Sequence, residues 1–558
     1  MPASRWVYLL SYLFAVFTIT SISLHAQHEH VPVKNPVYDF LLRMQVRGIL
    51  PDYSHAALPL ERQSIVLLLD SLETQRVNLT RTEQALLDRF ESEFTDEARR
   101  RQSRSILFRS DDPFAEKVND IFSDKEKFLY AWQDSTTTFF MELLANAEYR
   151  TVLAPGNNSN VTLAQIGGRF RGTVKSFLGY GLEATNGTEF GSRSLALEDP
   201  VLRQNSNFND FERPFFDFTE AYLNANFGWG NLVLGKERVL IGNSFASRLI
   251  VSDNAPTFDA LRLGVHFGDF SYAFLHSSVL GQKRTLADGK PYYEPRFFAM
   301  HRAEIAFSDD VRFGVFESVI YTGRFLDLAY INPVNFFKSA EHALGDRDNP
   351  FLGFDLTLNP INEVQLFGTW LIDDIDASKW GSGWWGNKFA WQGGVLTTAL
   401  IPNGELGIEY TRIEPYTFSH FFSGNEYTHK GYIIGSELQP NSDQWHVRWQ
   451  QWIDARMQFS IFYRTSRHAN NEYDTGGKLL VNNGGDALVG FVGERDRDHI
   501  LFLEGILAHT QILGLDLRYE PWRNIVLDFR YHFRRQQAPG VPESLSDHFL
   551  SLLLDIAY

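Results

Sequence analysis

His548-Phe-Leu-Ser-Leu-Leu-Leu-Asp-Ile-Ala-Tyr558, the last stretch of the chain, decides the fold. Counted back from the end, Tyr558, Ile556, Leu554, Leu552 and Leu550 share one parity. Ala557, Asp555, Leu553, Ser551, Phe549 and Asp547 share the other, which carries the polar groups. Successive side chains of a strand point to opposite faces, so this alternation predicts a strand with one apolar and one wetter face. The ends of water-soluble domains tend to fray, and their most apolar strand is poorly placed there. A final aromatic residue on the apolar face is instead how outer-membrane β-barrels typically end. The rest of the chain should then be a run of similar strands behind an export signal.

Working outward from that stretch, the same period of two recurs. Leu513, Leu515, Leu517 and Tyr519 are followed, across Glu520-Pro-Trp-Arg-Asn524, by Ile525, Leu527, Phe529, Tyr531 and Phe533. Their opposite faces hold Asp516, Arg518, Asp528, Arg530, His532 and Arg534. Earlier segments repeat the pattern: Met141 to Tyr149, Ala164 to Val174, and Ala221 to Phe227. Charges on the hidden face of a soluble sandwich would each cost several kcal/mol unless paired. In a wide barrel that face looks into a wet lumen and the apolar face meets lipid. Short turns such as Glu520–Asn524 alternate with long polar stretches such as Glu189–Asp210 and Arg467–Gly485, the asymmetry of periplasmic turns and outer loops. Residues 136–558 are therefore expected to form an all-β transmembrane barrel with an even number of antiparallel strands near 16 to 18, at about ten residues per strand plus turns and loops.

The amino-terminal part reads differently. Arg5, the apolar run Trp6–Leu24 and Ala26 before Gln27 predict a secretory signal over 1–26. The alternative is an uncleaved anchor, but Ser11, Thr18, Thr20, Ser21 and Ser23 interrupt the run and favour cleavage. Residues 27–135 are expected to be a small α-helical periplasmic segment and linker, a plug or lid. Val37, Phe40, Leu41, Met44 and Ile49 make one stripe, ended by Gly48 and Pro51; Ile65, Leu68, Leu69 and Leu72 make a second. Thr80-Arg-Thr-Glu83 has capping-box spacing and opens a third helix running to about Arg101. His28-Glu-His30 offers two metal-type side chains, but in an apparently loose terminus, so no metal is expected.

Composition narrows the class. Of 558 residues, 47 are Phe, 22 Tyr and 12 Trp, a supply suited to interfacial girdles. A net charge of −16 opposes nucleic acid as a partner. The absence of cysteine excludes disulfide scaffolds, zinc–thiolate sites, a cysteine nucleophile and a lipobox anchor. His276 and Ser277 are adjacent and would point to opposite faces of a strand, so they make a poor catalytic pair. No cofactor-binding pattern stands in a coherent strand–turn–helix context. The expectation is a non-enzyme without cofactor.

Several stretches carry a resemblance. In order, they are Leu234-Gly-Lys-Glu-Arg-Val-Leu-Ile-Gly-Asn-Ser, His301-Arg-Ala-Glu, Tyr330-Ile-Asn-Pro-Val-Asn-Phe-Phe, Asp348-Asn-Pro-Phe-Leu-Gly-Phe-Asp, Leu371-Ile-Asp-Asp, Glu414-Pro-Tyr-Thr-Phe-Ser-His and Asn425-Glu-Tyr-Thr-His-Lys-Gly. Together they resemble the Wzi-type capsule assembly family, especially its Bacteroidetes-like branch. Leu438-Gln-Pro-Asn441 departs from the family by lacking Gly before Pro-Asn. The resemblance implies an outer-membrane barrel that holds capsular or exopolysaccharide at the cell surface, lectin-like and without catalysis. Its implied partners are that glycan, outer-membrane lipid and the barrel assembly machinery during biogenesis, with the protein a monomer. The alternative is a porin-like channel for small solutes.

A glycan binder needs aromatic platforms for sugar C–H faces and polar groups for hydroxyls. Trp380, Trp384, Trp385 and Trp391, with Asn387, fall in one expected loop, flanked by Asp373 and Asp374. The competing reading is an interfacial girdle. Asn332-Pro333 and Asn349-Pro350 are family-motif positions expected to initiate turns, and Tyr558 the terminal signal. Glu317 breaks an apolar parity set (Phe313, Val315, Val319, Tyr321), so it is either a lumenal carboxylate or the mark of a slipped register. Arg518, Arg530, Arg534 and Arg535 form a cationic cluster that could attract an acidic polymer, though balance by Asp516 and Asp528 on neighbouring strands is the favoured reading.

Overall fold

The alternating segments close on themselves. In the computed structural model, 18 antiparallel strands form a closed barrel. The structure describes residues 27–94, 104–108, 120–537 and 545–558; the expected signal segment and the last turns of the third helix lie outside them. The strands are β1 Thr138–Ala154, β2 Asn157–Val174, β3 Leu178–Gly191, β4 Phe215–Asn226, β5 Gly230–Lys236 and β6 Asp259–Phe267. There follow β7 Phe270–Thr285, β8 Pro291–Ser308, β9 Val311–Tyr321, β10 Asn349–Ile361, β11 Val364–Asp374 and β12 Lys388–Thr397. The circuit ends with β13 Gly404–Ile413, β14 Ser442–Trp452, β15 Met457–Asn470, β16 Ile506–Trp522, β17 Ile525–Gln537 and β18 Leu545–Ala557.

Each strand pairs with its neighbours in sequence, and the last pairs with the first, from His548↔Leu153 to Ala557↔Leu144. Closure gives every barrel strand a hydrogen-bonded neighbour on both sides, as a lipid environment requires. Short turns such as Arg523-Asn524 collect at the end that carries both termini of the barrel, and the long connections 192–214, 322–348, 414–441 and 471–505 at the other. The former is the periplasmic end. Stacked aromatics ring it on the outer wall, Phe227 on Trp229 and Trp229 on Phe267, with Phe177 edge-on to Phe227.

Three helices close the periplasmic mouth: α1 Val37–Val46, α2 Arg62–Thr74 and α3 Arg81–Phe94. Their stripes meet in one core with Phe40, Leu41, Met44, Ile65, Leu69, Leu72, Leu86 and Phe90, which packs against Phe367, Leu396 and Trp452 of the wall. The capping box forms as spaced: the Glu83 N–H donates to Thr80 Oγ1 at 3.2 Å and the Thr80 N–H to Glu83 Oε2 at 2.8 Å. Gly48 follows α1 at φ +72°, and a Cβ there would stand 2.5 Å from the Asn362 side chain, so the turn admits only glycine without strain. Ion pairs pin this plug to the rim: Arg523 to Glu93 at 2.9 Å and to Glu126, and Arg89 to Glu520.

From above, connections 237–258 and 414–441 fold inward. Ile241, Leu249, Ile250, Phe418, Tyr427 and Ile434 pack onto the inward faces Leu275, Phe298, Phe316, Phe351, Leu371 and Ile413. Leu240-Ile241 also pairs with Ala57-Leu58 between α1 and α2, joining inward loop to plug. The half of the lumen bounded by β7–β13 is therefore packed: apolar where the loops seat, and below that lined by buried polar groups, with Arg302 paired to Glu304 and Asp355 and Gln392 donating to Glu409.

Candidate functional site

The other half, bounded by β14–β18 and β1–β4, keeps its polar face. Between α1 below, the inward loops above and the wall lies a chamber of about 450 Å³. Asp39 of α1, Phe245, Ala246 and Glu437 of the inward loops, and Arg448, Arg464, Arg518, Arg530, His446 and His532 of the wall line it. Most of these charges are balanced across strands: Arg448 with Glu405 at 2.8 Å, Arg464 with Glu437 at 2.7 Å, Arg518 with Asp528 at 3.4 Å and His532 with Asp516 at 2.8 Å. Arg534 pairs with Asp547 at 2.8 Å, whereas Arg530 has no ion pair among the described residues. Arg448 and His446 were not singled out in the sequence, although Gln444, His446, Arg448 and Gln450 alternate with the outward Trp445, Val447 and Trp449.

His28-Glu29-His30 is not a loose terminus, contrary to expectation. It is buried against β2 and β4 inside the lumen. The His28 N–H donates to Thr173 Oγ1 at 2.8 Å and the His30 N–H to the Tyr222 hydroxyl at 2.7 Å, while Asn224 Nδ2 donates to the His28 carbonyl at 2.8 Å. His30 Nδ1 lies 2.8 Å from Glu237 and its ring stacks on Tyr222. Burial, with the Arg262 charge alongside, pushes the His30 imidazole down to about 3. The segment is an internal strap bonded to the wall, and its polar groups serve that docking.

The tryptophan stretch splits. Trp391 lies on the lipid-facing side of β12 and joins Tyr410 and Trp445 in an outer row, with ring centroids 5.1 and 4.7 Å apart. Trp380 stacks on the outward Phe389 at 5.1 Å. These two belong to the girdle. Trp384 and Trp385 sit in the loop above. Trp385 stacks on Phe491 at 3.9 Å, and Trp384 bridges to His499 of the 471–505 connection. The Lys379 ammonium stands 3.6 Å over the Trp384 ring. Asn387 holds the loop's shape, accepting from the Asp376 N–H at 2.7 Å and donating to the Lys379 carbonyl at 3.0 Å. Asp373 is buried, ion-paired to Lys388 at 2.6 Å and accepting from the Phe418 N–H at 2.9 Å; Asp374 is exposed. Of the seven residues, Trp384, Trp385, Asn387 and Asp374 thus share the extracellular ridge.

Asn332-Pro333 makes a turn, Asn332 Oδ1 accepting from the Val334 N–H at 3.2 Å. Asn349, at the start of β10 beside Pro350, donates to the Asn425 carbonyl at 2.8 Å, tying two family motifs together. Tyr558 is buried at the seam, its hydroxyl 3.4 Å from Ser105 Oγ. Glu317 is neither lumenal nor a sign of slippage: the register through β9 is continuous, and the carboxylate points outward. His276 and Ser277 do face opposite ways, His276 to the Tyr321 hydroxyl at 2.9 Å and Ser277 to the Phe298 carbonyl. Among the described residues one group, Glu341, His342 and Asp346, gathers three metal-type ligands, but Lys338 already stands 3.1 Å from Glu341.

Comparison with known proteins fits this geometry. The profile of the family described as capsule assembly protein Wzi matches residues 136–535. The chain belongs to the Wzi capsule assembly family. This Wzi-family chain shares its fold with Wzi of Escherichia coli, described as an outer-membrane protein involved in group 1 capsule assembly and a carbohydrate-binding β-barrel. That match has 12 % identity, a TM-score of 0.56, and covers 95 % of this chain and 99 % of the other. Looser likenesses are to OprD of Pseudomonas aeruginosa (11 % identity, TM-score 0.42, 75 % and 95 % covered) and OccAB3 of Acinetobacter baumannii (12 %, 0.43, 75 % and 99 %). No curated sequence matches. The chain is an outer-membrane β-barrel of the Wzi family.

Proposed function

We propose that this barrel is a non-enzymatic, lectin-like protein that attaches or organises capsular or exopolysaccharide at the cell surface. The glycan lies on the extracellular ridge where loop 375–387 meets the 471–505 connection. The observation that carries the reading is Trp384, held by its bridge to His499 and by Lys379, with Ser382 and Asn387 in the same loop and Asp374 at the adjoining end of β11. An aromatic ring beside hydroxyl, amide and carboxylate groups suits a sugar, whose ring stacks while its hydroxyls are hydrogen-bonded. The E. coli relative's description as carbohydrate-binding supports the same class of ligand.

On this reading the partners are the glycan, outer-membrane lipid and, during biogenesis, the barrel assembly machinery that engages the Tyr558 strand, with the barrel a monomer. The test is surface retention of capsule in a capsulated strain carrying Lys379→Ala and Trp384→Ala together. Capsule shed into the medium, with barrel abundance unchanged, is the expected result; capsule still fully cell-attached would overturn the placement, and attachment unchanged after deletion of the whole gene would overturn the function. The lumenal chamber favours a second reading, a small-solute channel. The helical plug and inward loops weigh against it, and steady single-channel conductance in planar bilayers would reverse that order.

A further inference from the structure

Glu317 stands in the outward row of β9 with Phe313, Val315, Val319 and Tyr321. A carboxylate facing lipid is costly, yet this one is only 3 % exposed. What covers it is the connection 322–348, which folds down over the outside of the wall. Tyr330, Phe337 and Ala340 pack on the outward Phe274, Ala299, Val319 and Tyr321. Phe337 belongs to a short helix, α4 Phe337–Leu344, whose first N–H donates to Glu317 Oε2 at 3.0 Å. His301 reaches the same carboxylate at 3.0 Å through Nε2 and the Pro333 carbonyl at 3.3 Å through Nδ1, and its ring stacks on Phe337 at 4.5 Å. Tyr272 also donates to the Pro333 carbonyl.

This strap holds its backbone as an element beside lipid must. Asp327 accepts from the Ala329 N–H at 2.9 Å, Asn335 donates to the Ala329 carbonyl at 2.8 Å, and Arg324 and Tyr330 share Asp348. The outer side of the strap is apolar. Phe325 is 84 % exposed, Leu328 80 %, Val334 85 % and Phe336 53 %. The height is set by the girdle: Glu317 stands as many residues above Val311, the periplasmic end of its strand, as Trp391 stands above Thr397. Val334 and Phe336 flank the residues that meet His301 and Tyr272, so they lie at or below that level. Arg347 and His342 are exposed beside the patch, completing the composition of an interfacial segment.

We propose that the strap 322–348 is a membrane-contacting element whose Val334–Phe336 edge is immersed in the acyl chains of the outer leaflet, while Glu317 and His301 anchor it to the wall. The occupant is lipid because the strap is continuous with the lipid-facing wall and replaces part of it. The native chain has no cysteine, so single Val334→Cys and Leu480→Cys variants of the full chain accept a nitroxide at one site each. Both are reconstituted into vesicles of phosphatidylethanolamine and phosphatidylglycerol, folding is confirmed by heat-modifiable gel migration, and relaxation is measured with oxygen and with a water-soluble nickel chelate. At 334 the oxygen-to-nickel collision ratio is expected to be several-fold higher than at 480, which lies in an outer loop. Equal ratios would place the strap in water and overturn the proposal. Protection at 334 from both reagents would mean a protein covers the patch, which also overturns it. Should the 334 variant not fold, Phe325→Cys, higher on the strap, takes its place with the same expected sign.

Discussion

The two halves of the lumen differ in how they are filled: one is packed by inward loops and the other keeps an open chamber. Along β7–β13 the inward loops complete a core like that of a soluble protein, with Phe298 edge-on to Tyr427 and Arg296 buried between Glu426 and the Gly424 carbonyl. Along β14–β18 and β1–β4 the wall stays polar, its charges pairing with one another and with the loops around the open chamber. The packed half is closed by area removed from water, and the wet half only at its rim, where buried ion pairs hold the plug. The loops thus convert one side of a channel-like barrel into a rigid pedestal for extracellular loops.

This difference can be broken at chosen points. The largest effect is expected from Phe298→Ala in the packed half, a loss of about 3–5 kcal/mol from the vacated cavity, read as a lowered urea midpoint for heat-modifiable migration. Next, Arg523→Ala leaves Glu126 buried without its partner and should cost about 3 kcal/mol. It should speed tryptic cleavage within residues 27–94 while leaving the barrel band intact; unchanged cleavage would show that the plug is held by its apolar core alone. A more local effect concerns pH. The undocked His30 imidazole takes up a proton below about 6.5, while the docked one resists until about 3. Docking is therefore fully stable above 6.5 and weakens as pH falls between those values. Glu29, Glu61, Glu237, His28 and Arg262 face the ring and set the shape of the loss. Amide exchange at His28–Val31, corrected for intrinsic rates, should rise on acidification to pH 4, and flat protection would refute it. The smallest effect is expected at Arg530→Ala, exposed to the lumen without an ion pair, which should move the urea midpoint by no more than about 0.5 kcal/mol equivalent.

Strand parity was legible in β1, β2, β4 and β16–β18 because it is local there: the apolar rows of β16, β17 and β18 face outward as the alternation requires, and the Thr80–Glu83 box caps its helix. Where the chain docks on itself over long separations, the sequence was silent. Glu317 looked anomalous because its cover arrives from residues 322–348, and His28–His30 looked loose because its partners lie on β2 and β4. The tryptophan cluster misled for a related reason. Trp391 stands on the wall and Trp380 stacks on its outward Phe389, whereas Trp384 and Trp385 belong to the ridge, a division set by the partners each ring packs against rather than by composition. Asp373 was drawn in by proximity in sequence, but Lys388 on the adjacent strand claims it.

The seam of the barrel has one more consequence. The lower end of β1 is occupied before β18 reaches it, because Tyr130–Gln133 pairs with Thr138–Met141. Directly above, Leu143 and Tyr558 exchange both backbone hydrogen bonds, at 2.5 and 2.8 Å. A slip of β18 by two residues toward the periplasm would drive Tyr558 into the short hairpin strand, and a slip the other way would leave Leu143 without a partner in lipid. The hairpin thus acts as a doorstop. It limits the register at this seam by fixing where Tyr558 can come to rest.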